Sequence, residues 1–178
     1  EKLCVFIMLV PSAYMQSMAA FVAQNVGAKR LDRAGKALLY GILSSLVVGL
    51  VMAYLSFFHG SALSTLFVKE NDTAVIMAAS DYLRAYSIDC ILTSFLFCFI
   101  GYFNGRGKTL FVMIQGIVGA FGVRIPVSYL MTLTDGASLF HIGLATPASS
   151  VVQILLCAGY FLLLKRRQKK FLLENSAE

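Results

Sequence analysis

Charge is what this 178-residue chain has least of. Asp, Glu, Lys and Arg together make up 13% of it, against 58% hydrophobic residues and a mean hydropathy of +0.78. That balance excludes an ordinary soluble domain, in which about a quarter of the residues are charged. Its four cysteines, Cys4, Cys90, Cys98 and Cys157, lie within apolar stretches and lack the close spacing of a metal site or a disulfide framework. Of the two histidines, His59 and His141 both fall near the ends of such stretches, where solvation is the ordinary role. Neither a GxSxG nor an HExxH motif nor a paired-carboxylate arrangement occurs, so the chain has no apparatus for an enzyme. The first stretch has no basic start and no small-residue cleavage site after it, so a true span is expected there and not a cleavable signal peptide.

One segment, "GYFNGRGKTL" (Gly101 to Leu110), has the ending of a phosphate-cradling loop but not its beginning. Counting back from Gly107 places Tyr102 where the first glycine is required, and the preceding residues form a long apolar run instead of a short strand. No nucleotide is expected.

What the chain does have is length without charge. Apolar runs cover about 3–23, 37–58, 82–103, 110–131 and 140–164. Each is long enough to cross a hydrocarbon core of ~30 Å at ~1.5 Å per helical residue. The expected fold is an all-α membrane protein with five transmembrane helices in a single membrane domain, its partner the lipid bilayer. Basic residues alternate between the connections: Lys29, Arg30, Arg33 and Lys36 in the first, Arg106 and Lys108 in the third, and Lys165, Arg166, Arg167, Lys169 and Lys170 in the tail. The opposite connections hold Lys69 alone, so the positive-inside rule predicts a cytoplasmic C-terminus. The net charge of +6 is thereby a topology signal and not a sign of nucleic-acid binding.

Local signals predict that Asn25 or Gly27 supplies a left-handed cap for the first helix and that Asp32 caps the second. They also predict a short interfacial helix over Ser61–Phe67 and a cap at Asn71 or Asp72 before the third span. Small residues at Gly41, Ser45 and Gly49, and at Gly116, Gly119 and Ala120, predict close helix approach.

The segments "FVAQNVGAKRLDRAGKAL", "NDTAVIMAASDYLRAYSIDC", "FCFIGYFNGRGKTLFVMIQGIVGAFGVRIPVSYL" and "IGLATPASSVVQILLC", in that order, resemble the second half of a multidrug and toxic compound extrusion (MATE) transporter. The family fold has twelve helices in two pseudo-symmetric lobes around a central cavity. The resemblance implies that the five spans are helices eight to twelve, an incomplete C-terminal lobe. Its partners would then be the missing N-terminal lobe and seventh helix of a parent protein, and a start at Glu1 agrees with a fragment. The implied activity is secondary active multidrug efflux in the plasma (inner) membrane, with drug-like amphipathic or cationic small molecules exchanged for sodium ions or protons and no further cofactor. The alternatives are a lipid-linked saccharide flippase of the same superfamily, whose cavity should be more basic than the single Arg124 allows, and a non-transporting membrane scaffold.

Polar groups inside spans are costly in lipid and face a bundle interior. Helical spacing aligns Tyr82, Tyr86, Asp89 and Thr93 on one face of the third span. Thr146, Ser149, Ser150 and Gln153 form a stripe on the fifth, and Tyr14 lies near Ser17 on the first. The candidate cavity lining is Tyr82, Tyr86, Thr93, Tyr14, Ser17, Ser149 and Gln153, although for the hydroxyl stripes interhelical hydrogen bonding is the preferred role. Asp89 and Arg124 each lie seven residues inside the outer end of their spans, so they match in depth. They form either a permanent ion pair or a cation-coupling site in which Asp89 binds the ion and Arg124 is its charge partner. The resemblance implies the second, because the family's second-lobe cation site uses an acidic residue on the tenth helix with another on the seventh. No metal site is expected.

Overall fold

The computed structural model describes residues 2–65, 73–133 and 143–174. Every regular element among them is helical: α1 (Lys2–Gly27), α2 (Leu31–Phe58), the short α3 (Gly60–Thr65), α4 (Thr73–Gly105), α5 (Thr109–Ile117), a π-helical turn (Val118–Arg124), α6 (Ile125–Thr132) and α7 (Ala145–Glu174). Five stretches are long and apolar enough to span a membrane: Cys4–Gly27, Leu31–Phe58, Ala79–Gly105, Thr109–Thr132 and Ala145–Arg167. In lipid the backbone must satisfy its own hydrogen bonds, and helices do so within one segment. The chain is an all-α integral membrane protein. Its helices overrun the apolar runs because the flanking Lys, Arg and Gln residues are good helix formers, and α7 continues through Lys165, Arg166 and Arg167 to Glu174.

Both hairpin turns at one end of the bundle close by the same device. In the α1–α2 turn Arg30 N donates to Asn25 O and Lys29 N to Val26 O; in the α4–α5 turn Lys108 N donates to Phe103 O and Gly107 N to Asn104 O. These are Schellman caps. Lys29 (φ 58°) and Gly107 (φ 69°) hold the left-handed positions. The cap expected at Asn25 or Gly27 therefore falls on Lys29, since Gly27 is still helical and the Asn25 amide donates to the Phe21 carbonyl instead. Arg30 precedes α2 and gives no side-chain cap, with Asp32 inside the first turn. The short helix expected at Ser61–Phe67 is found at Gly60–Thr65; Phe67, Lys69, Asn71, Asp72 and His141 lie outside the described residues.

Helix α4 is the centre of the bundle: 56% of its most apolar stretch is buried, against 11% to 22% in the other spans. Glycine sets its distance from α1. A Cβ on Gly101 would stand 2.5 Å from the Met15 carbonyl oxygen, and one on Gly105 would stand 2.6 Å from that of Ala19. The pair is a small-xxx-small seam, the packing that replaces hydrophobic attraction between helices in lipid. Gly49 of α2 meets Ser94 and Cys90 of α4 in the same way, and Ser45 donates to the Ser94 carbonyl at 3.1 Å. The expectation for Gly41, Ser45 and Gly49 holds. Gly116 does not fit it, because nothing lies within 4 Å of its added Cβ.

Two apolar clusters result. Toward the hairpin end, Val22, Leu38, Cys98, Phe103 and Cys157 are buried beneath stacked Phe111 and Tyr160, whose ring centroids are 4.1 Å apart. Toward the other end, Ile7, Ala53, Leu83, Tyr86 and Cys90 pack together. All four cysteines are free, and three are buried between helices and not against lipid.

Candidate functional site

The polar face of α4 lies on an open cleft of about 1000 Å³ bounded by α1, α4, the π turn and α7. Tyr82, Tyr86, Asp89 and Thr93 all reach it, as do Thr146, Ser149, Ser150 and Gln153. The two stripes seen in the sequence thus form facing walls. Tyr82 and Tyr86 stack at 6.1 Å, leaving Tyr86 buried and Tyr82 partly open.

Asp89 is only 1% exposed although it lines the cleft. Ser150 of α7 donates to its Oδ1 at 2.5 Å, and the Thr93 hydroxyl donates to its backbone carbonyl at 2.6 Å. Arg124 lines the same cleft, is exposed, and is within electrostatic reach of Asp89. They form no direct ion pair. Among the described residues the ion pair present is Arg84–Asp81, on the surface of α4. A buried carboxylate without a contacting cation is costly unless hydrogen bonds or water offset its desolvation. Among the described residues, one serine hydroxyl and the cleft are what offsets it at Asp89.

The neighbouring polar groups act on helix packing. Ser149 donates to the Gly119 carbonyl at 2.7 Å, and the Gln153 amide nitrogen donates to the Ser149 hydroxyl at 3.1 Å. An added Cβ on Gly119 would overlap the Gln153 side chain. Ser149 and Gln153 therefore combine a cleft position with the interhelical bonding weighed for the stripe. Tyr14 and Ser17 are elsewhere. They line a separate groove between α1 and α2 with Arg33, Lys36 and Tyr40, because the α1–α4 seam turns that face of α1 away from Asp89. The Ser150 contact was not apparent from spacing, which placed four polar residues on α7 without ranking them.

Residues 2–130 match the MatE family. The chain belongs to the MATE family. This match takes in Asp89 and Arg124 but ends before α7, so the serine that touches Asp89 lies outside it. The protein named "Probable multidrug resistance protein YoeA" from Bacillus subtilis (strain 168) is 23% identical to this MATE chain over 145 residues, which are 82% of this chain and 31% of that protein. The chain therefore spans less than a third of that relative's length. No solved structure matches it.

Proposed function

We propose that this chain forms helices eight to twelve of a secondary active multidrug efflux antiporter in the plasma membrane, with its C-terminus in the cytoplasm. The antiporter exports amphipathic, often cationic, small molecules in exchange for sodium ions or protons. Family membership and the printed name of the Bacillus relative support transport and drug export. The observation that carries the coupling role is Asp89: a carboxylate 1% exposed, on the wall of a large cleft, held by a neutral hydroxyl and, among the described residues, without a direct ion pair. That arrangement favours a small cation. A cation arriving at Oδ1 or Oδ2 neutralises a charge that the surroundings stabilise poorly, while Arg124 across the cleft keeps the local potential positive enough to let it leave. Alternating access then needs the second lobe to rock against this one.

The test is Asp89→Asn in the full-length protein. Ion-coupled export is lost while membrane abundance stays near normal, because the amide keeps the shape and the Ser150 hydrogen bond. Collapse of abundance, restored by adding Arg124→Gln, would instead make the two charges a structural couple and refute the assignment.

A further inference from the structure

The span that carries Arg124 is not uniformly α-helical. Between α5 and α6, residues Val118–Arg124 form a π turn, and Ile125 N–H closes on Ala120 O, five residues back. A π turn accommodates one extra residue, so everything beyond it is rotated by about one residue's step, ~100°, relative to a continuous α-helix. Three features of the sequence favour it. Pro126 has no N–H to give the Gly122 carbonyl, and its ring crowds that carbonyl. Gly119 and Gly122 lack the side chains that stiffen a regular helix. Gly119 also leaves the space that the Gln153 side chain fills, and an added Cβ there would displace it.

We infer that the π turn fixes the direction in which Arg124 points, and that Ser149 and Gln153 are positioning residues that hold it. The Ser149 hydroxyl bonds the Gly119 carbonyl inside the turn, and Gln153 bonds Ser149 while covering Gly119. Residue 119 is thereby anchored to α7, and Arg124, the last residue of the turn, is delivered to the Asp89 cleft. Relaxation to a regular α-helix would swing Arg124 away by that ~100°. The same helix that gives Asp89 its hydroxyl through Ser150 thus sets the azimuth of the opposing cation through Ser149. The consequence for export rests on Asp89 being the coupling site; the geometry of the turn does not.

The test uses the full-length protein with its native cysteines replaced and Arg124→Cys introduced, reconstituted in liposomes and labelled with a charged, membrane-impermeant thiol reagent. Adding Ser149→Ala shifts the ratio of π turn to regular helix by about fivefold, the worth of one ordinary hydrogen bond, and so lowers the labelling rate at position 124 by up to that factor. Adding Ser149→Thr, which keeps the hydroxyl, leaves it near the parent rate. Deleting Gly122, the one residue in excess, leaves a regular α-helix in which position 124 keeps its direction, so labelling stays near the parent rate and no longer depends on Ser149; if that variant does not fold, the Ala–Thr contrast decides alone. Equal labelling in Ser149→Ala and Ser149→Thr overturns the inference. Asp89→Asn serves as the control: it leaves labelling unchanged, and if it also leaves export intact, the coupling assignment fails while the role of the turn stands.

Discussion

The α1–α4 seam offers the sharpest quantitative test of the fold. Replacing Gly105 by Ala adds one methyl group 2.6 Å from the Ala19 carbonyl oxygen, 2.7 Å from Val22 Cβ and 3.0 Å from Ala23 N. Two of these are backbone atoms of α1, which cannot turn aside as a side chain can. Ordinary contact begins at 3.4 Å, so the two helices must part by about 1 Å along the tightest part of the bundle. Overpacking of this kind costs about 1–3 kcal/mol, and the helix-propensity gain of Gly to Ala, at most ~1 kcal/mol, offsets only part of it. Gly159 on α7 supplies the matched control, because nothing lies within 4 Å of its added Cβ. Gly159→Ala should be neutral or mildly stabilising, while Gly105→Ala loses about 1–2 kcal/mol, roughly a fivefold to thirtyfold drop in the folded-to-unfolded ratio. Equilibrium unfolding of the full-length protein in mixed detergent micelles measures both. If Gly105→Ala proves as stable as Gly159→Ala, the close approach of α1 and α4 is wrong.

Two other measurements address orientation and the cation site. Single cysteines at positions 106 and 71 should be labelled from opposite sides of the membrane, with 106 reached from the cytoplasm, because six basic residues in the two inner turns oppose Lys69 in the outer connections. Labelling of both from one side would show that one of the five spans does not cross. Ser150→Ala should lower the half-saturating concentration of the coupling cation by roughly tenfold, since a hydrogen bond to a charged group is worth about 1.5–3 kcal/mol and its donor competes with the ion for the carboxylate. A rise in that concentration would mean that the hydroxyl oxygen ligates the ion instead.

Asp89 and Arg124 show how far linear spacing reaches. Both were recognisable as intramembrane charges of matched depth, because depth follows from rise per residue along a straight helix. Whether they touch was not recognisable, since that depends on the azimuth of two helices about their own axes. The π turn changes that azimuth for Arg124. Its ingredients, Gly119, Gly122 and Pro126, stand in the sequence, but small residues and a proline in an apolar run serve equally for packing or for a kink. The stripe on α7 shows the same limit: Ser149 and Ser150 are neighbours in the chain, yet one bonds the Gly119 carbonyl and the other the Asp89 carboxylate.

The amino-acid sequence by itself determined the five spans, their order and the alternation of basic connections, because lipid enforces a helix wherever ~20 apolar residues run together and hydropathy is additive along the chain. It also determined the polar face of α4, since positions three and four apart share one side of any helix. Only the tertiary structure decided which of those faces meet. In the linear sequence the glycines of "GYFNG" belong to an incomplete phosphate loop; in the fold Gly101 and Gly105 stand against the carbonyls of α1. That seam sends Tyr14 and Ser17 to a groove of their own and leaves Asp89 facing α7. Helix–helix contact in a membrane is settled by shape at sub-ångström range between residues far apart in the chain, and no periodicity within one segment carries that information.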